Sequence, residues 1–104
     1  MKQIRLLHTS DCQAYHQALD ELEAALREVD LPVRLEVVVI TSEVQAKRYK
    51  FFGSPAIHID GRDVDPLAAN VTQYHAQACR SYFWQGKSYD FPPKEMILHA
   101  LKGR

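Results

Sequence analysis

The apolar positions of the first thirty residues follow two different periods. Residues 3–7 alternate, with Ile4 and Leu6 on one side, which is typical of a short strand. After the polar "TSD", apolar residues recur at intervals of three and four, at Tyr15, Ala18, Leu19, Leu22, Ala25, Leu26 and Val29. This stripe predicts an amphipathic helix that starts near Cys12, with Ser10 or Asp11 capping its first turn.

The middle of the chain predicts a strand, a short helix and another strand. Residues 33–40, "VRLEVVVI", are rich in β-branched side chains and become apolar on both faces, which predicts a central strand. Thr41 or Ser42 then caps a helix that runs to about residue 51, and Gly53 stops it. The segment "SPAIHIDG" predicts a strand that ends in an Asp60-Gly61 turn.

The last third is more ambiguous in its periodicity. Residues 67–78 have helical spacing and predict a loop with a helical turn, whereas residues 79–83, "CRSYF", predict an edge strand antiparallel to residues 56–60. Pro92-Pro93 opens a final helix with a buried face of Met96, Ile97, Ala100 and Leu101. This order predicts a single α/β domain over residues 1–104, with a four-stranded mixed sheet flanked by about three helices.

Composition and charge narrow the classes of function. The chain has 104 residues, 46% of them hydrophobic, and its 13 basic side chains balance its 13 acidic ones. A neutral chain lacks the field that concentrates nucleic acid or anionic membrane, so neither is expected as a partner. The chain has no membrane-length apolar run and no signal peptide at its start, so we expect a cytoplasmic protein whose two cysteines are free thiols.

Two segments together resemble the thioredoxin-like superfamily. "TSDCQAY" (residues 9–15) is similar to the active-site segment of thioredoxins and glutaredoxins, with Cys12 at the nucleophilic position and Tyr15 at the resolving one. "GSPAIHIDG" (residues 53–61) is similar to the stretch in which a cis-proline starts a strand. The resemblance implies a thioredoxin-like fold in which Ser54 and Pro55 lie beside Cys12 and, together with Tyr15, bind the substrate. It also implies that Pro55 exposes a backbone edge to which an extended substrate pairs.

Two departures from the family shape the expected chemistry. The CxxC motif is reduced to "CQAY", which removes the resolving thiol three residues after Cys12. The glycine pair and aspartate with which glutaredoxins hold glutathione are replaced by "RDVDPLAANV". No cofactor is therefore expected, and glutathione stays open as a ligand although its motif is unmatched. The resemblance therefore implies thiol-disulfide exchange of the monothiol type through Cys12, acting on a protein or small-molecule disulfide.

Several alternatives stay open from the sequence. Partial positive charge at a helix start would favour the Cys12 thiolate, but neighbouring Asp11 would oppose it. Whether the protein is an enzyme or an inactive thioredoxin-like module that binds a protein partner is therefore undecided. Cys79 is an accessory thiol that the antiparallel pairing places far from Pro55. A third, weaker alternative is a soft-metal site at Cys12 and His16, although no complete metal-ligand motif is present.

The aromatic segment, residues 82–91, has two interpretations. It concentrates five aromatic side chains within ten residues of sequence, "YFWQGKSYDF". The simpler interpretation is that they cover one edge of the core under the last helix. If several are exposed together, they predict a surface for self-association or for a partner.

Overall fold

The computed structural model describes residues 1–103, which form a single sheet with helices on both faces and a separate hairpin. In chain order the elements are β1 (Lys2–His8), α1 (Tyr15–Glu28), β2 (Val33–Val39), α2 (Glu43–Tyr49), β3 (Ala56–Ile59), β4 (Arg62–Asp63), a 3-10 helix (Pro66–Asn70), β5 (Tyr82–Trp84), β6 (Lys87–Tyr89) and α3 (Lys94–Leu101). The main sheet has the order β2-β1-β3-β4. β1 is parallel to β2 and antiparallel to β3, and β3 is antiparallel to β4. The α/β class with a four-stranded mixed sheet and three helices is thus confirmed.

Each face of the sheet has its own core. On one face Ile4 and Leu6 of β1 pack with α1 and α3, in a cluster that includes Leu22 and Ile97. On the other face Leu7 packs with residues of α2 and of the loop after it. β1 is therefore a central strand with apolar side chains on both sides, which fixes its register because a slip by one residue would exchange the two faces.

The interpretation of residues 33–40 as a central strand is wrong, because β2 lies at the edge of the sheet. Its only neighbour is β1, and no described strand pairs with its other side. Three of its apolar residues are exposed to solvent, with exposed fractions of 41% for Leu35, 43% for Val37 and 40% for Val39. A run of apolar residues on both faces indicates a strand of high β-propensity, but it does not determine how many neighbours the strand has.

Local sequence signals are largely confirmed. Ser42 caps α2, and its Oγ accepts a hydrogen bond from the Gln45 amide. The helix ends at Tyr49, earlier than predicted. Lys50, and not Gly53, takes the left-handed conformation that ends the helix, with φ of 56°. Asp60 and Gly61 have φ values of 51° and 83°, as expected of a tight hairpin turn. The helical turn predicted within residues 67–78 is present earlier, as the 3-10 helix at Pro66–Asn70.

The predicted edge strand at residues 79–83 is wrong in both its partner and its position. β5 begins at Tyr82 and pairs with β6 across a Gln85-Gly86 turn, which forms a separate two-stranded sheet. The aromatic segment packs partly against the α1/α3 core through Trp84, Tyr89 and Phe91, whereas Phe83 is 64% exposed. A hairpin satisfies the ladder of these two short strands locally, so β3 is not needed as a partner.

The final helix begins after Pro93, as predicted, and its buried residues are Met96, Ile97, Leu98 and Leu101. The predicted buried face is therefore correct except that it includes Leu98 in place of Ala100. Within residues 1–103, none of the helices combines the length and the apolar character that crossing a bilayer requires.

Candidate functional site: a cavity between two cysteines

Cys12 lies in a turn between β1 and α1. Its amide donates a hydrogen bond to the Thr9 carbonyl at 3.2 Å, so the chain turns once before the helix starts. The residue that caps α1 is Ala14, and it makes no side-chain capping bond. The prediction that Ser10 or Asp11 caps the helix is therefore wrong. Cys12 precedes the first helical residue, Tyr15, and is not part of the helix.

A cavity of about 330 Å³ opens beside Cys12. It is lined by Thr9, Asp11, Cys12, Gln13, Ala14, Ser54, Cys79, Arg80 and Asp90. Cys12 is half-buried, Cys79 is exposed, and both are free thiols. Two segments that are 67 residues apart in sequence thus each bring one cysteine to the same cavity.

Ser54 holds the two cysteine-bearing segments together. The peptide bond between Ser54 and Pro55 is cis, which confirms that expectation. Ser54 Oγ accepts a hydrogen bond from the Thr9 amide at 3.1 Å, and the Ser54 amide donates to the Ala78 carbonyl at 2.9 Å. Ser54 therefore bonds on one side to the turn that carries Cys12 and on the other to the segment that carries Cys79.

The expected position of Cys79, far from Pro55 and Cys12, is wrong. Cys79 forms an isolated parallel bridge with Ser54, the residue that precedes Pro55. The backbone edge that a substrate was expected to use is therefore occupied by residues 78–79 of the chain itself. Pro55 is fully buried, and its carbonyl accepts a hydrogen bond from the Tyr82 hydroxyl. Of the three predicted substrate-binding residues, Ser54 lines the cavity, whereas Pro55 and Tyr15 do not.

Arg80 fixes the segment that carries Cys79. Its guanidinium donates two hydrogen bonds to the Asp63 carboxylate, at 2.7 and 3.2 Å, and lies 3.6 Å from Asp65. The Arg80 Cζ atom lies over two aromatic rings, 4.0 Å from the centroid of Phe52 and 4.2 Å from that of Tyr82. A bidentate pair combined with cation–π contacts to two rings holds a guanidinium in one orientation. Residues 79–82 are thereby tied to β4.

This buried network sets the ionisation of its members. Burial raises the pKa of Asp63, but the contact with His58 Nε2 at 3.5 Å and the hydrogen bonds from Arg80 outweigh it and hold that pKa below the usual 3.8. Burial lowers the pKa of Arg80, whereas Tyr82 and Asp63 raise it, and the net shift is upward. Burial raises the pKa of Tyr82 well above 10.0, so its hydroxyl stays a neutral donor to Pro55.

Sequence reasoning missed Arg80, Asp63 and Gly53 as residues of the site. A Cβ added at Gly53 would lie 2.7 Å from Cβ of Arg80, so only glycine lets the arginine stem pass this close. A usable signal was present: one arginine stands beside the aromatic segment, and the two aspartates of "RDVDP" are available to neutralise it. Their pairing depends on tertiary structure and is not encoded in any local spacing.

Tyr15 and His16 lie beside the cavity without lining it. The Tyr15 ring stacks on His8 with centroids 4.1 Å apart and contacts His16 at 4.9 Å. Tyr15 also packs against the α1/α3 core, as its place in the helical stripe indicates. Among residues 1–103, no group of three or more His, Cys, Asp or Glu side chains is arranged to hold a metal ion.

Fold and site together define a small α/β domain with two free thiols at one cavity. The chain belongs to the family described as "Domain of unknown function (DUF2703)", whose model matches residues 5–101. No curated protein and no solved structure matches the chain. The match spans both cysteines, the cis peptide bond and the Arg80 network.

Proposed function

We propose that this protein has a thioredoxin-like fold and reduces disulfides by thiol-disulfide exchange, with Cys12 as the attacking thiol. The observation that carries the proposal is that Cys12 and Cys79 line one cavity, held together through Ser54. Cys12 is assigned the attacking role because it follows β1 at the position that the resemblance gives to the nucleophile. The cis peptide bond before Pro55 and the mixed sheet agree with the same resemblance.

The first step joins the substrate to Cys12. The Cys12 thiolate attacks one sulfur of the substrate disulfide, a new bond forms to Cys12 Sγ, and the substrate bond breaks. One substrate thiol leaves with its electron pair and takes up a proton. Cys12 is half-buried, so the mixed disulfide stays within the cavity, and exposed Cys79 lies at the same cavity.

Cys79 supplies the thiol that the "CQAY" segment lacks. The Cys79 thiolate attacks Cys12 Sγ, the mixed disulfide breaks, and the second substrate thiol leaves. The substrate gains two electrons and the protein holds a bond between Cys12 and Cys79, which an external dithiol reduces. Without Cys79 the same adduct waits for an external thiol, which is the monothiol route that the sequence predicts.

Counting released thiols tests both steps. Reduced protein is mixed with bis(2-hydroxyethyl) disulfide, and free 2-mercaptoethanol is measured over time in the wild type, Cys12→Ser and Cys79→Ser. The wild type is expected to release two thiols per chain and Cys79→Ser one, with the other retained as an adduct. Cys12→Ser is expected to react at least about tenfold more slowly, because the attacking thiolate is gone.

The three variants also separate the alternatives. Equal rates in the wild type and Cys12→Ser would overturn the proposal. If both rates are also no faster than that of an unactivated thiol, the result would favour a module without redox activity. One thiol released by both the wild type and Cys79→Ser would leave Cys12 as the attacking group and remove the role of Cys79. Circular dichroism of each variant checks that serine, which is nearly isosteric with cysteine, leaves the fold intact.

A further inference from the structure

The outer side of β2 is an open strand edge. β2 spans seven residues, Val33–Val39, and bonds to β1 on one side only. Soluble proteins normally blunt such edges with short strands, charged side chains, prolines or bulges. β2 has no proline or bulge within its span, and its two charged side chains, Arg34 and Glu36, are of opposite sign. Three of its apolar residues are at least 40% exposed: Leu35, Val37 and Val39.

The backbone groups that point outward belong to these same residues. The Lys2 amide donates a hydrogen bond to the Pro32 carbonyl at one end of the β1–β2 pair. At the other end, the Ile40 amide donates one to the His8 carbonyl. The hydrogen bonds of a parallel pair involve every second residue of a strand. Even-numbered residues of β2 therefore bond to β1, and Val33, Leu35, Val37 and Val39 direct their amide and carbonyl groups away from the sheet.

We propose that β2 pairs antiparallel with β2 of a second copy of this chain, around a two-fold axis at Leu35. This pairing joins the two four-stranded sheets into one of eight strands and gives every outward backbone group of residues 33–37 a partner. Leu35 then faces Leu35 of the second copy, and Val33 faces Val37. The apolar side chains come together on the face that carries α1 and α3.

Charge selects this register among the ones that the backbone allows. With the axis at Leu35, Arg34 lies opposite Glu36 of the second copy, twice per dimer. An axis at Glu36 would place two like charges directly opposite each other, which destabilises a strand pair. An axis at Val37 would leave Arg34 opposite no acid. The Arg34 side chain is exposed and has no hydrogen bond or ion pair within the described part of the chain, so it is free to make this contact.

The Glu36 carboxylate is held in place by an arginine of its own chain. Its Oε1 accepts a hydrogen bond from Nε of Arg5 at 2.7 Å, and the pair is partly exposed. A second arginine from the other copy then approaches a carboxylate that is already oriented. Because the pairing is self-complementary, it closes as a dimer and covers the outer edge of both β2 strands from residue 33 to residue 37.

Two charge reversals test the proposal through their mixture. Arg34→Glu and Glu36→Arg each place like charges opposite each other in a homodimer, so each variant is expected to raise the dimer dissociation constant by at least about tenfold. Mixed together, their β2 strands are complementary again and a heterodimer is expected. Light scattering coupled to size exclusion should give twice the chain mass of 11.9 kDa for the wild type and the mixture, and the chain mass for each variant alone.

Any of three results would overturn the pairing: a monomeric wild type, unchanged dimers of both variants, or a mixture that stays monomeric. A cross-linking pair checks the register in a Cys12→Ser, Cys79→Ser background. Leu35→Cys is expected to form an intermolecular disulfide on oxidation. Val37→Cys is not, because the two positions would lie roughly 13 Å apart, beyond the ~7 Å limit for a disulfide. The reverse outcome would contradict the axis at Leu35.

Discussion

At the residue scale, the cavity beside Cys12 is flanked by exposed carboxylates. Asp11 and Asp90 both line it, and the one arginine in its wall is already neutralised by Asp63. An approaching anionic disulfide therefore meets uncompensated negative charge, whereas a cationic one is attracted. This arrangement also agrees with the unmatched glutathione motif, since glutathione disulfide carries net negative charge.

We expect charge to set the order of reactivity. In a Cys79→Ser background, Cys12 should react faster with cystamine, a cationic disulfide, than with glutathione disulfide. Asp11→Asn and Asp90→Asn should each reduce this preference by about twofold to fivefold at low salt, with the effect fading as salt is added. The measurement is the rate of adduct formation by intact mass. Asp20→Asn, an exposed aspartate on α1, is the matched control, and an equal effect there would refute the local explanation.

The element scale concerns how the segment that carries Cys79 is attached to β4. The attachment is the ion pair of Arg80 with Asp63, and its strength depends on an ionised carboxylate. Because the pKa of Asp63 is lowered in the folded state, the unfolded chain takes up a proton first as the pH falls. The stability that Asp63 contributes is therefore complete above the unfolded pKa, near 3.8, and is lost as the pH falls below it.

We expect Asp63→Asn to remove most of this contribution. At neutral pH the variant should lose about 3 kcal/mol of unfolding free energy, because it removes the bidentate partner of buried Arg80 and leaves only the Asp65 carboxylate, at 3.6 Å. Between about pH 5 and pH 3 its urea midpoint should fall less steeply than that of the wild type. Asp60→Asn is the control, since Asp60 also has a lowered pKa but is exposed. Parallel acid profiles for the wild type and Asp63→Asn would contradict the assignment.

Some of these elements could be predicted from the sequence pattern, and others could not. α1, β1, β3 and the Ser42 cap were predictable because each depends on local periodicity or on one capping side chain. The edge position of β2 and the hairpin at residues 82–89 were not, because periodicity does not specify which strands become neighbours. The residues of the site likewise include some that local sequence predicts and some that only tertiary contacts define. Cys12 and Ser54 were found from their segments, whereas Arg80 is defined only by contacts with Asp63, Phe52 and Tyr82.

At the scale of the whole molecule, the cavity with the two cysteines and the open edge of β2 are separate features of the sheet. The cavity lies where β1 ends and β3 begins, with Cys12, Ser54 and Cys79 in its lining, whereas the open outer side of β2 belongs to another part of the sheet. Neither Cys12 nor Cys79 belongs to β2. Loss of the β2 pairing is therefore expected to leave thiol release from a dilute protein unchanged, so the two proposals succeed or fail separately.

The most direct test follows the wild-type protein after it is mixed with one equivalent of bis(2-hydroxyethyl) disulfide. Samples are quenched with acid and examined by intact mass and peptide mapping. The first species should carry a 2-mercaptoethanol adduct on Cys12. The next should have lost two hydrogen atoms and contain a disulfide between Cys12 and Cys79. An adduct that forms first on Cys79, or one on Cys12 that persists until an external thiol is added, would contradict the exchange between these two cysteines.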